Sequence, residues 1–286
     1  MTQIDQFESI FRAADKTLYA YQMPEIRKIL VVTDLTVKAS EAFLVQLQEF
    51  LSVLSVPKEP KWVPVSGKDF KSSADLLKLV KKHKPDLICT YRNLQSAGWK
   101  YPHSLGEHLD VLVQLADVPV MILPHPEAGR ADRHAMQNTN RVMVLTDHLS
   151  DSHDLVNIAV RLTREKGRLS LVHLEDTQVF ERYIDAISKI ATIDTDEARE
   201  KIKERLLKEP RDYIASCAAV LASHDVKIKI RSVVGFGHHI TAFKKKIDKQ
   251  KLDLIVMRGK DKTQMAMHGI VYPLAVEIRQ IPLLLI

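Results

Sequence analysis

The sequence predicts an α/β fold in which one doubly wound, parallel-sheet domain is written twice. Three observations carry this expectation. Matching blocks recur in the same order: KILVVTD at 28–34 and RVMVLTD at 141–147, then KPDLICT at 84–90 and KLDLIVM at 251–257, then VPVMIL at 118–123 and IPLLLI at 281–286. Each block is a short continuous apolar run, as a strand buried on both faces requires. Amphipathic stretches separate the blocks, and strands alternating with helices build parallel sheets.

In the first half, Ala39, Ala42, Phe43, Leu47, Phe50 and Leu51 predict a helix over 38–52. A weak strand at 61–65 precedes a helix at 72–83 carrying Leu76, Leu77, Leu79 and Val80, so this half has about four strands. The second half reads as a strand at 141–147, a helix at 151–166 and a strand at 168–174. Helical segments near 177–191 and 195–223 follow, then a strand at 226–233 and a helix at 238–250. A strand at 252–257, a helix near 270–279 and a strand at 282–286 complete five parallel strands. The first blocks lie 113 residues apart (Asp34 to Asp147), the second 167 (Leu87 to Leu254) and the third 163 (Pro119 to Pro282). The second half therefore carries about 50 extra residues, enough for one strand and one or two helices. Polar residues 125–140, with Pro and Gly, read as a linker between domains at 1–124 and 141–286. Residues 4–15 read as an amphipathic helix that packs on the first domain.

With 45% apolar residues the 286-residue chain can build two cores. No apolar run approaches the ~20 residues of a membrane span, and the acidic Asp5 and Glu8 do not suit a signal peptide. Cys89 and Cys217 lie far apart in apolar surroundings and read as reduced core residues, so a cytoplasmic location is expected. The net charge is +6, and the cluster Lys244, Lys245, Lys246, Lys249 and Lys251 reads as a solvated helix face, so no nucleic-acid partner is expected. Neither CxxC nor HExxH occurs, and His148, His173, His238, His239 and His268 are given local polar roles, with no metal site. No Walker A loop, G-x-S-x-G elbow or paired-carboxylate pattern appears, and no catalytic residue is assigned.

A first strand ending in Asp (Asp34, Asp147), a later DLIVM-type strand, a helix opened by Gly (Gly106, Gly269) and a last strand opened by Pro (Pro119, Pro282) resemble the universal stress proteins. The repeat resembles the tandem members of that family. The resemblance implies two Rossmann-like, adenine nucleotide alpha hydrolase-like sandwiches packed through their last strands as a pseudo-dimer. It also implies ATP with its adenine near the first-strand Asp and its phosphates on a G-x2-G-x9-G-[ST] loop. The chemistry is sound on its own terms, because open α/β sheets bind ligands beyond their strand ends. Helix N-termini there attract phosphate, and glycines admit it closely.

Gly106 and Gly269 each stand 13 residues before their proline, as in the family. The hydroxyl position that follows is Glu107 in one half and Ile270 in the other. The first loop glycine falls on Tyr91 and on Arg258; the second falls near Ser96 and near Gly259 to Asp261. No nucleotide is therefore expected in the first domain. The second domain is the candidate for ATP or another adenine nucleotide, with Arg258, Lys260 and Lys262 supplying charge where glycines are lost. By resemblance its contacts are Asp147, Val172, Met257, Arg258, Gly259, Lys260, Gly269 and Ile270.

Asp34 and Asp147 also suit a plainer role as helix N-caps or loop carboxylates. Gly235-Phe236-Gly237-His238-His239-Ile240 looks like part of a dinucleotide fingerprint, and the plainer reading is a tight strand-to-helix turn. Segments 118–123 and 281–286 would each be an apolar edge, and the two can pair within the chain. Further self-association stays open, and helices over 177–208 either shield the sheet or contact a partner. The expected function is a non-enzymatic, ligand-sensing or interaction protein of the stress response. The alternatives are an interaction module with no ligand and a weak ATP hydrolase.

Overall fold

The computed structural model describes residues 18–100, 104–146, 149, 152–237, 247, 250–259 and 271–286. The apolar blocks form strands and the amphipathic stretches form helices. In chain order these are β1 (Lys28–Thr33), α1 (Val37–Phe50), β2 (Lys61–Ser66), α2 (Ser73–His83), β3 (Leu87–Tyr91), α3 (Glu107–Leu115) and β4 (Val120–Leu123). The second half contributes β5 (Arg141–Thr146), α4 (His153–Leu162), β6 (Arg168–Asp176), α5 (Thr177–Ser188), α6 (Thr195–Ser223), β7 (Lys229–Gly237), β8 (Leu254–Met257), α7 (Val271–Glu277) and β9 (Leu283–Leu285).

The strands form one mixed sheet in the order β2-β1-β3-β4-β9-β8-β5-β6-β7. Every neighbouring pair is parallel except β4 and β9. Burial follows that order. Strands β3, β4, β8 and β9 are buried throughout, whereas the outermost β2 and β7 are largely exposed or half-buried. Pro64 lies in β2, where a missing N–H is tolerated because one side of the strand is unpaired.

Both halves fix their strands with the same carboxylate. In the first, the Lys28 N–H donates to Asp86 Oδ2 at 2.8 Å and the Asp86 N–H donates back to the Lys28 carbonyl at 2.8 Å. In the second, the Arg141 N–H donates to Asp253 Oδ2 at 2.8 Å and the Asp253 N–H donates to the Arg141 carbonyl at 2.9 Å. The prolines match too: Ile88 donates to Pro119 at 3.0 Å and Ile255 to Pro282 at 3.1 Å. Asp253 is fully buried and also binds the Arg141 guanidinium, with Nη2 to Oδ1 at 2.8 Å.

The halves join at β4 and β9, where Val120 faces Leu285, Met121 faces Leu284 and Ile122 faces Leu283. Exchanging each residue for its counterpart in the other half (Val120 for Leu283, Met121 for Leu284, Ile122 for Leu285) returns the same pairs. Two arginines reach across. Arg92 donates to the Ala275 carbonyl from Nε at 3.0 Å and Nη2 at 2.6 Å, and to the Ile278 carbonyl at 2.5 Å. Arg161 on α4 donates to the carbonyls of Val53 at 2.8 Å and Val56 at 2.7 Å. Residues before β1 also lie on the second half: the Tyr19 hydroxyl donates to Asn157 Oδ1 at 2.5 Å, and Asn157 Nδ2 donates to the Ala20 carbonyl at 3.1 Å.

The extra residues of the second half form α5, α6 and β7. Two expectations are corrected. Gly235, Phe236 and Gly237 are neither a fingerprint nor a turn, but the last three residues of β7, paired with Leu174, Glu175 and Asp176. The strand runs on because β6 itself extends to Asp176 and offers backbone partners. Helix α4 stops at Leu162 rather than near 166, because the chain turns through Lys166 at φ 63°. The predicted helix at 4–15, most of that at 238–250, and Lys244, Lys245, Lys246 and Lys249 lie outside the described residues.

Removing a buried carboxylate leaves its cation and N–H partners without compensation. Asp253→Ala is therefore expected to cost about 3 kcal/mol in urea unfolding. The half-buried Asp86→Ala, which loses only backbone N–H bonds, should cost about 1–2 kcal/mol.

Candidate functional site

Strands β1, β2 and β3 end side by side, and Asp34 follows β1 directly. Both of its oxygens are taken. The Tyr91 hydroxyl donates to Oδ1, and the Gln95 N–H donates to Oδ2 at 2.6 Å. The Asp34 N–H in turn donates to the Tyr91 oxygen at 2.9 Å. Gln95 Nε2 donates to the carbonyls of Gly67 at 2.7 Å and Phe70 at 2.9 Å, so the turn after β3 is stitched to the loop after β2. Tyr91 is fully buried, with its ring edge-on to Phe43 and His125. Burial, and then the bond to Asp34, pushes the phenol pKa well above its usual range, so the hydroxyl stays protonated and donates. Asp34 is thus a loop carboxylate and not an N-cap; Thr36 caps α1.

The loop that follows closes on itself. Gly106 has φ +88°, and a Cβ there would stand 2.6 Å from the Asn93 Cα. The Asn93 N–H donates to the Leu105 carbonyl at 2.8 Å. Only glycine permits both the conformation and the approach. Glu107 opens α3, and its carboxylate accepts from Ser73 Oγ at 3.3 Å. A side-chain anion of the protein already stands in the first turn of that helix.

In the second half Arg258 occupies the sheet position that Tyr91 holds in the first. Tyr91 faces Leu123 beyond the Thr90–Ile122 pair, and Arg258 follows the Met257–Leu285 pair in the same way. No phenol is present there to close the turn. The Arg258 guanidinium instead donates to Asp154 Oδ1 at 2.5 Å, in the first turn of α4. Val172 and Met257 flank Leu145 in the two strands beside β5, and both are fully buried. Gly259 is buried and donates to the Ile286 carbonyl at 2.8 Å. Of the four described candidates, Arg258 alone presents surface. Asp147, Lys260, Gly269 and Ile270, with His148, His238, His239 and His268, lie outside the described residues.

Sequence reasoning missed Asp154 as the partner of Arg258; an acidic residue in the first helical turn after the strand was the available signal. His173 near the end of β6 is buried, with Nε2 2.7 Å from Glu175 Oε1 and Nδ1 unpaired. Cys89 and Cys217 are buried and unbridged, and burial pushes the Cys217 thiol up to about 12. Among the described residues no group of His, Cys, Asp and Glu is placed to hold a metal, and no helix is long and apolar enough to cross a membrane.

Residues 138–267 match the model of the universal stress protein family. No curated protein sequence matches the chain. Several solved structures are similar. One is a universal stress protein from Archaeoglobus fulgidus, 14% identical, covering 90% of this chain and 85% of its own, with a TM-score of 0.49. A putative universal stress protein from Pseudomonas aeruginosa is 12% identical over 91% of this chain and 93% of its own, with a TM-score of 0.47. A functionally unknown protein from the same species is 13% identical over 91% and 92%, also with a TM-score of 0.47.

Two substitutions test the closure of the first half. Tyr91→Phe removes a buried donor to a carboxylate and should cost about 2 kcal/mol. Gly106→Ala combines a disfavoured φ with a backbone clash and should cost about 2–4 kcal/mol. Thermal or urea unfolding reads both.

Proposed function

We propose that the chain is a tandem universal stress protein-like module that works without catalysis, and that an adenine nucleotide such as ATP is taken by the second half alone. In this reading residues 1–124 are a reduced first domain, 125–140 a linker and 141–286 the full second domain. The two pair through β4 and β9 as an internal pseudo-dimer in a reducing, cytoplasmic setting. The repeated carboxylate register and the self-matching β4–β9 pairs support the duplication.

The observation that carries the proposal is the contrast at one sheet position. Where Tyr91 ties up Asp34, the second half has Arg258, a partly exposed cation whose partner among the described residues is the exposed carboxylate of Asp154. Such a pair is weak in water, so a phosphate can displace Asp154 at small cost. Occupancy would then be read through α4, which carries Asp154 at one end and Arg161, bound to the first half, near the other. A second reading, an interaction module without ligand, is favoured by Tyr183, Ile190 and Ile193, large apolar residues exposed on α5 and the turn after it.

Thermal shift of the full chain with ATP, ADP and adenosine tests the proposal. ATP should raise the melting temperature, Arg258→Ala should abolish the rise, and Asp154→Asn should tighten binding a few-fold by removing the competing anion. No shift with any of the three favours the interaction module, and steady phosphate release above blank would instead show hydrolysis.

A further inference from the structure

The junction of the two halves holds a second cluster of cations that the nucleotide reading does not use. A pocket continuous with solvent is lined by Arg92, Asn93, Ser104, His125, Ala128, Arg130 and Arg279. The lining carries three guanidinium groups and an imidazole, with no carboxylate. The residues come from the turn after β3, from Ser104 just before α3, from the chain after β4, and from the segment between α7 and β9. None comes from the end of β8 or from α4, where Arg258 and Asp154 stand, so the pocket is separate from the nucleotide site proposed in the second half; it adjoins the first-half crevice, where the Tyr91 ring packs on His125.

The cations are held in place by the backbone. Arg92 is 4% exposed and spends Nε and Nη2 on the carbonyls of Ala275 and Ile278, while Nη1 is buried without a partner. Arg279 is fixed by Nε to the Val276 carbonyl at 2.9 Å, and Arg130 by Nη2 to the Lys100 carbonyl at 3.2 Å. Carbonyl dipoles orient these groups without neutralising them. Burial, with Arg279 as a second cause, pushes the Arg92 guanidinium down to about 9. Arg130 and Arg279 likewise act unfavourably on each other. Like charges gathered with no counter-charge in the lining are a cost that a bound anion relieves. Asp34 and Glu127 act on His125, and Glu277 acts on Arg279, but none of the three lines the pocket.

The cluster is not a by-product of the repeat. The counterparts of Arg92 and Arg279, by the register of the closing strands, are Gly259 and Ala116. The same corner on the other side of the β4–β9 seam therefore lacks both guanidiniums.

We propose that this pocket is a binding site for a compact phosphate-bearing anion, held across the seam by Arg130 and Arg279 with Arg92 supplying charge from beneath. Planar guanidiniums match phosphate oxygens in a forked geometry. Because the ligand bridges β4 to the α7–β9 segment, its binding clamps one half to the other.

The test is isothermal titration of the full chain with inorganic pyrophosphate and with inorganic phosphate, alongside sodium chloride at matched ionic strength. Pyrophosphate should bind and raise the melting temperature, with phosphate weaker. The double variant Arg130→Ala/Arg279→Ala, with folding checked by circular dichroism, should bind at least about tenfold more weakly. Lys208→Ala, which removes an equal charge from the exposed side of α6, should bind like the wild type. Absence of pyrophosphate binding, equal stabilisation by sodium chloride, unchanged affinity in the double variant, or equal loss in Lys208→Ala would each overturn the proposal. Single variants at Arg130 and Arg279 provide the same comparison if the double variant does not fold.

Discussion

Six backbone-paired residues hold this molecule together as one sheet. Strands β4 and β9 are short, wholly apolar and buried on both faces, and each would be an exposed edge without the other. Their antiparallel union removes two edges at once and places the most hydrophobic strands at the centre of nine. The edges that remain belong to β2 and β7, the least buried strands, with Pro64 in one of them. Polarity thus grades outward from the seam, as sheet stability and resistance to aggregation both require.

Around that seam the halves are tied by groups that are costly to bury. Arg92 satisfies the carbonyl end of α7, and Arg161 satisfies carbonyls around the short turn at 52–56. Helix ends leave carbonyls unpaired, so a cation there is doubly suited, by hydrogen bonding and by the helix dipole. Each arginine sits in one half and serves the other. The interface therefore combines an apolar seam with directional contacts that fix its orientation. Asn157 adds a third tie by binding both ways to the segment around Tyr19 and Ala20.

Much of the architecture was legible because buried parallel strands leave an unmistakable trace: short runs of Val, Ile and Leu between amphipathic stretches. The apolar blocks at 28–34, 84–90, 118–123, 141–147, 251–257 and 281–286 located β1, β3, β4, β5, β8 and β9. The length of β7 was not legible, because its Gly-Phe-Gly tail suits a turn locally and is recruited only by the extension of β6. The state of Asp34 was equally hidden. Its partners stand 57 and 61 residues away, and nothing near it in sequence announces a buried phenol. Nothing in the sequence marks Arg92 for burial, and only the packing of α7 against it shows why it is buried. Spacing alone placed Arg258 opposite Tyr91, but the ion pair with Asp154 needed the turn of α4 to be seen.

The direction of the central seam has a geometric consequence. All strands of the first half run one way and all strands of the second run the other. The crevice at Asp34 and the crevice at Arg258 therefore open at opposite poles of the sheet. A molecule docked at one pole cannot touch a molecule docked at the other. Any dialogue between them has to travel through the protein itself, along strands whose hydrogen-bonded ladder is stiff, or through the helix and arginines that straddle the midline.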